Sequence, residues 1–288
     1  MEQIESIHNP KIRHIIRLKQ KKYRDEYNAF FMEGIRSTEE AVLCGCRGVL
    51  CFMTAEAADN QRVQTVMARA RLLEWRFFLV SEAVMKAVGD TEHGQGIGAV
   101  IPKPSYSAAS LMHPLEGRYA VLDRVQDPGN LGTLVRTAAA AGCRGVLAVR
   151  GCADPFGDKA VRSSMGAVLR IPLYDRVEEE ELEELQRSGD IPFIGTALSE
   201  AVSYRDTGPI PNGFFVFGNE GSGISDAILS LCSRRIFIPV AAGVESLNVT
   251  AAAAVILFHY AADVKTPPAA DRYGYGGSSL KENGDSRA

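Results

Sequence analysis

The chain has 288 residues, a formal net charge of −3, 46% hydrophobic residues and 23% charged residues. That length suits two compact domains, and the composition is that of a soluble globular protein and not of a fibrous or disordered one. No apolar run reaches the roughly 18 residues of a membrane span, the start Met1-Glu2-Gln3 shows no signal peptide, and the slightly negative charge argues against generic nucleic-acid binding by the whole chain.

Residues 1–105 read as a small α/β domain. Pro10 to Lys22 places Ile12, Ile15, Ile16 and Leu18 on one face of a short basic helix. The segment Lys11 to Arg24 holds seven Lys or Arg residues and no acid, a local basic patch of the kind that sets the field a phosphate backbone meets. Ala29 to Gly34 reads as a strand, Ser37 to Cys44 as a helix and Gly48 to Met53 as a second strand. Glu56 to Glu74 reads as one longer helix, Arg76 to Val80 as a strand, and Gly96 to Ile101 as the last strand. Pro102-Lys103-Pro104-Ser105 breaks regular structure, and 106–117 is the expected linker.

The second domain is expected over 118–264. Tyr119 to Leu122 is a continuous apolar run, as in a parallel strand covered on both faces. A helix Leu131 to Ala141 follows, then a strand Gly145 to Val149, a helix Ala160 to Leu169 and a brief strand Leu169 to Leu173. Glu178 to Glu184 packs six glutamates into seven residues, the solvated face or start of a helix over 177–187. Strands at Pro192 to Thr196, Phe214 to Phe217 and Arg235 to Ile238 precede a last helix over 246–262. Strands alternating with helices predict an α/β domain with a mainly parallel sheet. From 265 to 288, Pro, Gly, Ser and charge predominate, and a disordered tail is expected. The six cysteines (44, 46, 51, 143, 152 and 232) form no CxxC pair and have no histidine at ligand spacing. They read as reduced thiols of a cytoplasmic protein, and no metal site is expected.

Three polar stretches interrupt this apolar pattern: Asp127-Pro128-Gly129-Asn130-Leu131-Gly132 running to Arg136, Gly218-Asn219-Glu220-Gly221-Ser222-Gly223, and Glu245-Ser246-Leu247-Asn248-Val249-Thr250. Burying unpaired polar groups costs several kcal/mol, so three such stretches at strand-to-helix joins read as one assembled site. In open parallel sheets ligands bind at the carboxyl ends of the strands. The glycines of the second stretch allow close backbone approach. The stretch lacks the Gly-Lys-Ser/Thr ending of a phosphate-gripping loop, and no dinucleotide fingerprint follows the first strand.

Together the stretches resemble the SpoU (TrmH) family of S-adenosylmethionine-dependent RNA ribose 2′-O-methyltransferases, within the knotted SPOUT superfamily. Asp127-Pro128-x-Asn130-x-Gly132 with Arg136 and Ala138 is similar to that family's first motif. Gly218-Asn219-Glu220-Gly221-x-Gly223 is similar to its second, and Ile238-Pro239 followed by Glu245-Ser246-Leu247-Asn248-Val249 to its third. Arg162-Ser163-Ser164-x-Gly166-Ala167 resembles the segment between them. The chain departs at Val240, where many relatives carry methionine. Asn9-Pro10-Lys11, Lys22-Tyr23-Arg24, Phe31-x-Glu33-Gly34 and Gly96-Ile97 resemble, more loosely, the family's ribosomal-protein-like (L30e-like) RNA-binding domain.

The resemblance implies a deep trefoil knot in the C-terminal domain, where periodicity alone gives an ordinary doubly wound sheet. It implies S-adenosylmethionine held largely by backbone groups at Thr196, Ala197, Leu198, Gly218, Asn219, Ile238, Ser246 and Leu247. It implies catalytic roles for Asn130, Arg136, Glu220, Ser246 and Asn248, with Arg136 facing the same mouth as Asn130. A guanidinium keeps its proton in proteins, so Arg136 is read as binding phosphate and not as a literal base. Lys11, Arg13, Lys21, Lys22, Arg24 and Arg36 are the expected RNA contacts, and a homodimer through the knot domain is implied. The favoured substrate is 23S ribosomal RNA. The alternatives are a tRNA 2′-O-methyltransferase and an inactive RNA-binding protein of the same fold.

Plainer readings remain open for each stretch. Asp127 and Asn130 are also suitable caps for a helix starting near Leu131, and Ser246 for the last helix. Glu220 alone is compatible with a surface ion pair, and the basic run with a solvated helix face. Tyr23 and Tyr27 are candidates for base stacking. Phe30 and Phe31 are better placed alternating across a strand, and Trp75 reads as core.

Overall fold

The N-terminal sheet joins β1 (Glu2–Ile4), β4 (Arg76–Val80), β3 (Leu50–Met53), β5 (Ile97–Pro102) and β2 (Ala29–Glu33) in that spatial order. In this computed structural model, residues 1–89, 94–108, 111, 115–189, 191–243 and 246–261 are described. His93, His113, Glu245 and the tail from 265 lie outside the described residues. β1, β4 and β3 run parallel, and β5 lies antiparallel to β2 and β3. Around the sheet stand α1 (Pro10–Arg17), α2 (Lys21–Tyr27), α3 (Ile35–Leu43), α4 (Ala55–Asp59), α5 (Gln61–Ala70) and α6 (Glu82–Val88). Phe30, Phe31 and Trp75 are buried in this domain, and the Trp75 indole donates to the Cys46 carbonyl at 2.6 Å.

Two expected helices are each divided. The basic helix over 10–22 breaks at Gln20, whose backbone is extended (φ −99°, ψ 133°) and starts α2. The helix over 56–74 breaks at Asn60, whose side chain accepts from the Arg62 N–H at 2.9 Å and caps α5. Side-chain competition for backbone donors makes Asn a better cap than an interior residue, and apolar spacing does not register that competition.

The second sheet orders β10 (Val202–Ser203), β12 (Arg234–Phe237), β9 (Phe193–Thr196), β11 (Gly213–Phe217), β6 (Arg118–Leu122), β7 (Gly145–Val149) and β8 (Leu173–Val177). Every pairing in it is parallel. All residues of β6, β7 and β11 are buried, as their unbroken apolar runs require. β11 is inserted between β6 and β9, both laid down earlier in the chain. Helices α7 (Pro128–Ala140), α8 (Asp158–Ser164), α9 (Glu179–Ser188), α10 (Asp226–Leu231) and α11 (Val249–His259) cover the sheet. The expected helix over 160–169 ends early because Met165 (φ 52°) and Gly166 (φ 86°) turn left-handed.

Gly132 sets how closely α7 and α8 approach. A Cβ there would lie 2.1 Å from both the Ala160 carbonyl oxygen and the Ser163 hydroxyl, so no larger residue fits without moving α8. The terminal helix packs back on α7 and β11. Beyond its last turn, the Tyr260 ring sits 5.2 Å from Phe215 and its hydroxyl donates to the Tyr204 carbonyl at 3.1 Å.

The two sheets are joined through a shared interior. Phe30 of β2 meets Phe156 of the second domain at 5.1 Å between ring centroids, within one continuous apolar cluster. Ala108, Leu111 and Leu115, within the expected linker, are buried in the core beside Tyr119 and Tyr174. That segment therefore packs as part of the second domain. Around the seam, Lys103 pairs with Asp25 at 3.0 Å, Arg176 pairs with the same carboxylate, and Arg170 Nε reaches Glu40 at 2.9 Å.

Arg24 is the buried element of the seam. Its Nη2 and Nε donate to Asp154 Oδ2 at 2.7 and 3.0 Å, and Nη1 donates to the Leu18 carbonyl. With 5% exposure it is closed to solvent. The expectation that Arg24 contacts RNA is corrected by this geometry: its charge is spent on Asp154. Removing one partner of a buried pair leaves an uncompensated charge. Arg24→Met is expected to lower unfolding free energy by about 3–5 kcal/mol in urea denaturation, and adding Asp154→Leu should recover most of that loss.

Candidate functional site

The three polar stretches meet at one edge of the second sheet. β6, β11 and β12 run parallel, so their carboxyl ends lie together, and each stretch follows one of these strands. That is the position where open parallel sheets bind ligands.

The first stretch opens α7. Asp127 is its N-cap, accepting from the Asn130 N–H at 2.8 Å, with Pro128 in the first helical position. The helix thus starts three residues before the expected Leu131, and Asn130 lies in its first turn with its amide free to reach outward. Asn130 Nδ2 donates to Glu220 Oε1 at 2.9 Å, tying the first stretch to the second. The other Asp127 oxygen accepts from Lys159 of α8 at 2.7 Å, and this pairing, with the capping bond, holds its carboxyl below the ordinary value.

The second stretch is a tight loop after β11. A Cβ on Gly218 would fall 2.2 Å from the Gly223 carbonyl carbon, so the strand can enter this turn only as glycine. Asn219 and Gly223 exchange backbone hydrogen bonds at 2.9 and 3.0 Å. Asn219 Oδ1 accepts from the N–H groups of Gly221 and Ser222, while its Nδ2 donates to the Arg124 carbonyl at 2.8 Å. Burial would raise the Glu220 carboxyl, but the Asn130 amide and the backbone N–H groups of Glu220, Gln126 and Asp127 outweigh it and hold the group below its ordinary value. Glu220 is therefore a carboxylate at neutral pH.

The third stretch leads into α11, whose N-cap is Asn248 and not Ser246. Asn248 Oδ1 accepts from the Thr250 N–H at 2.8 Å. Ser246 and Leu247 precede it, both exposed.

The second and third stretches, with the ends of β9 and β12, enclose a cleft of about 770 Å³, to which the first stretch is tied through the bond from Asn130 to Glu220. Thr196, Ala197, Leu198, Gly218, Asn219, Glu220, Ile238, Ser246, Leu247 and Asn248 all line it. The cleft also takes in Ile236, Phe237 and Val240. Its size falls within the range of small-ligand pockets, which combine apolar walls with a few placed polar groups. Leu198 (72% exposed), Val240 (37%) and Leu247 (39%) offer uncovered apolar surface, while the loop after β11 and the start of α11 offer polar groups. The donor set suits a ligand with a flat apolar part and a charged polar end, which fits S-adenosylmethionine.

Arg136 stands elsewhere. Six residues beyond Asn130, at 3.6 per turn, it is rotated about 240° around α7 and lines a separate cavity of about 440 Å³ with Ala139, Ala140, Cys143, Met165 and Arg170. The expectation that Arg136 shares a mouth with Asn130 of its own chain is corrected by that rotation. Of the expected RNA contacts, Lys11 pairs with Glu2 at 2.7 Å and Arg13 donates to the His8 carbonyl. Arg36 and Lys22 are exposed and Lys21 is half-buried.

Asp123 and Arg124 are site residues the polar stretches do not include. Asp123 is 1% exposed, and its Oδ2 accepts from the Ser225 N–H at 2.6 Å, anchoring the far side of the loop after β11. Arg124 turns left-handed (φ 54°) and presents its carbonyl to Asn219. An aspartate directly after the apolar run Tyr119 to Leu122 was the available signal.

A sequence model described as the SpoU rRNA Methylase family matches residues 117–258, and one described as the MRM3-like substrate binding domain matches residues 9–99. The chain is 34% identical to 23S rRNA (guanosine(2553)-2′-O)-methyltransferase RlmP of Bacillus subtilis, across 90% of this chain and 99% of that protein. It is 26% identical to the mitochondrial rRNA methyltransferase 3 of Homo sapiens, across 84% of this chain and 69% of that one. Among solved structures, the AdoMet-bound rRNA methyltransferase of Sinorhizobium meliloti superposes with a TM-score of 0.82 at 29% identity, covering 92% of this chain and 99% of the other.

Glu220→Gln tests the central tie. The amide keeps one acceptor, but its NH₂ then meets backbone donors. The loss of a charged hydrogen bond is expected to weaken S-adenosylmethionine binding about tenfold to a hundredfold by titration calorimetry, with the circular-dichroism spectrum unchanged.

Proposed function

The chain belongs to the SpoU rRNA Methylase family and is an S-adenosylmethionine-dependent RNA methyltransferase, and from that premise we propose that it methylates a ribose 2′-hydroxyl of large-subunit ribosomal RNA. The observation that carries this reading is the 2.9 Å bond from Asn130 to Glu220, which joins the first two polar stretches beside the cleft that contains the third. The relative in Bacillus subtilis, matched over nearly its whole length, supports ribosomal over transfer RNA as the substrate. The intact cleft speaks against an RNA-binding protein that has lost catalysis.

The bound cofactor supplies an electrophilic methyl group on a sulfonium. In this reading Thr196, Ala197, Leu198, Gly218, Asn219, Ile238, Ser246 and Leu247 hold it, apolar side chains flanking the adenine and main-chain groups bonding its edges. Asn130, Glu220, Ser246 and Asn248 fix the ribose and the methionine end, and positioning of that kind supplies several kcal/mol of the barrier. Glu220, held as a carboxylate by its donors, orients Asn130 and cannot donate a proton. Arg136 binds the target phosphate and lowers the hydroxyl's affinity for its proton, which leaves through phosphate or water.

The organisation we propose is an RNA-binding domain over 1–105, a linker segment over 106–117 and a knotted catalytic domain over 118–264. The insertion of β11 between earlier strands, and the return of α11 over it, support the trefoil knot. The exposed apolar surface of α11 supports a homodimer through the catalytic domain. That helix is apolar on every side, and while Ala253, Ile256 and Leu257 are buried, Val255 (37%) and Phe258 (54%) remain exposed. Such a helix calls for a second covering surface. Association there would let Arg136 of one protomer complete the cleft of its partner. Ribosomal RNA and this cofactor meet in the cytoplasm, which is the compartment this reading assigns. Among the described residues, no helix is long and apolar enough to cross a membrane.

Calorimetry should show one S-adenosylmethionine per chain, and absence of binding would refute the reading. Ribose-methylation mapping of ribosomal RNA from a deletion strain should reveal one position restored by the gene. For the shared site, Arg136→Ala and Glu220→Gln chains are each expected to be nearly inactive. Unfolded and refolded together, they should recover about a quarter of wild-type activity, because half of randomly assorted dimers then carry one complete site. No recovery in verified mixed dimers would place Arg136 in its own chain's site or in none.

A further inference from the structure

The basic pair of helices at the N-terminus carries rings as well as charge. Ile12, Ile15 and Leu18 of the α1 region are buried against Phe78, Val80, Val84 and Val88. At the rim of this cluster, against which Tyr27 packs, His14 and Tyr27 stack at 4.1 Å between centroids with an interplanar angle of 26°, and Tyr23 continues toward Tyr27 at 5.8 Å and 23°. All three rings are half-exposed, unlike Phe30, Phe31, Phe52 and Phe78, which are buried. Arg17 brings its guanidinium to 5.4 Å from the Tyr23 centroid and donates to the Tyr27 hydroxyl at 3.3 Å. The Lys22 ammonium stands 5.8 Å from the Tyr23 centroid and, among the described residues, makes no hydrogen bond or ion pair.

We propose that the Tyr23–Tyr27–His14 column, flanked by Arg17 and Lys22, is a stacking platform for an unpaired nucleobase of the substrate RNA. This rests on the chain being an RNA methyltransferase and assigns the mode by which its first domain grips RNA. Flat π-faces accept any base, and adjacent cations meet the phosphates on either side of it. The platform is rigid for a reason already described. Arg24, next in sequence to Tyr23, points inward to Asp154 of the catalytic domain, so the helix that shows its ring to solvent is fastened by its neighbour to the methyltransferase. A base held on Tyr23 is therefore held at a fixed place relative to the cleft, as positioning of the target ribose demands. Glu26 acts on Arg17, and among the described residues no acid pairs with Lys22.

The test compares wild-type chain with Tyr23→Leu, which keeps apolar bulk but loses the π-face, and Tyr23→Phe, which keeps the ring. Fluorescence anisotropy at fixed salt would use labelled oligouridine, a fully paired RNA duplex of equal length, and ribosomal RNA from a deletion strain. Tyr23→Leu is expected to bind oligouridine and ribosomal RNA about tenfold or more weakly and the duplex unchanged, while Tyr23→Phe binds as wild type. S-adenosylmethionine affinity should be unchanged in both, which separates this proposal from the catalytic reading: a wild-type chain that fails to bind S-adenosylmethionine sinks that reading instead. Lys22→Gln should flatten the salt dependence of binding without altering the preference for unpaired RNA. Equal binding of all RNAs by Tyr23→Leu and wild type, or an equal loss on the duplex, overturns the platform.

Discussion

The hydrogen bond from Asn130 to Glu220 is the interaction on which the rest of the site depends. Asn130 belongs to the first turn of α7, placed by the Asp127 cap, and Glu220 to a loop whose path is dictated by Gly218. Neither residue has a local reason to be where it is beyond this meeting. A carboxylate at the edge of a sheet is stable in solvent, but here it accepts from a side-chain amide and from backbone donors of both stretches. Charge-assisted bonds of that kind are stronger than neutral ones and more demanding of geometry. The bond thereby ties the start of α7 to the loop that lines the cleft, with Asp123 and Arg124 bracing that loop from behind.

The domain seam extends the same logic. Several ion pairs cross it, but most are exposed, and surface pairs contribute little. The seam is fixed instead by continuous apolar packing through Phe30 and Phe156 and by the buried pair of Arg24 with Asp154. Buried pairs are weak sources of stability and better at specifying one arrangement over others. For a chain that must bring a target nucleotide to a cofactor held in another domain, a defined relative placement matters more than extra stability.

Much of this was legible in the residue pattern. Buried parallel strands announce themselves as unbroken apolar runs, so β7 falls where it is expected and β6 and β11 within one residue of it, and the polar stretches fall at strand ends. Short elements did not announce themselves. β10 has two residues, α10 has six, and α6 has seven behind a serine cap that resembles a loop residue. Helix boundaries moved wherever a cap outcompeted apolar spacing, as at Asn60 and Asp127. Ile236, Phe237 and Val240, which also line the cleft, were not read as site residues because an apolar side chain at a strand end carries no chemical mark of its own. Arg24 was misjudged for the opposite reason: a cation within a basic run gives no sign that its partner lies 130 positions later.

In the proposed reading, Arg136 is the part of the site that a second chain supplies. It stands on a different face of α7 from Asn130, beside a cavity of its own, while Val255 and Phe258 of α11 lie exposed. Were the arginine a structural residue, it would have a carboxylate partner as Arg170 has in Glu40 and Arg176 in Asp25; among the described residues none bonds it. A guanidinium left open beside a cavity is suited to an anion arriving from outside. A second copy docked along α11 would bring that cavity toward another cleft, and the same contact would cover Val255 and Phe258. One association then accounts for an apolar helix without a cover and a cation without a counter-ion. This makes the dimer in the proposed reading part of the catalytic apparatus, beyond its role in burying surface.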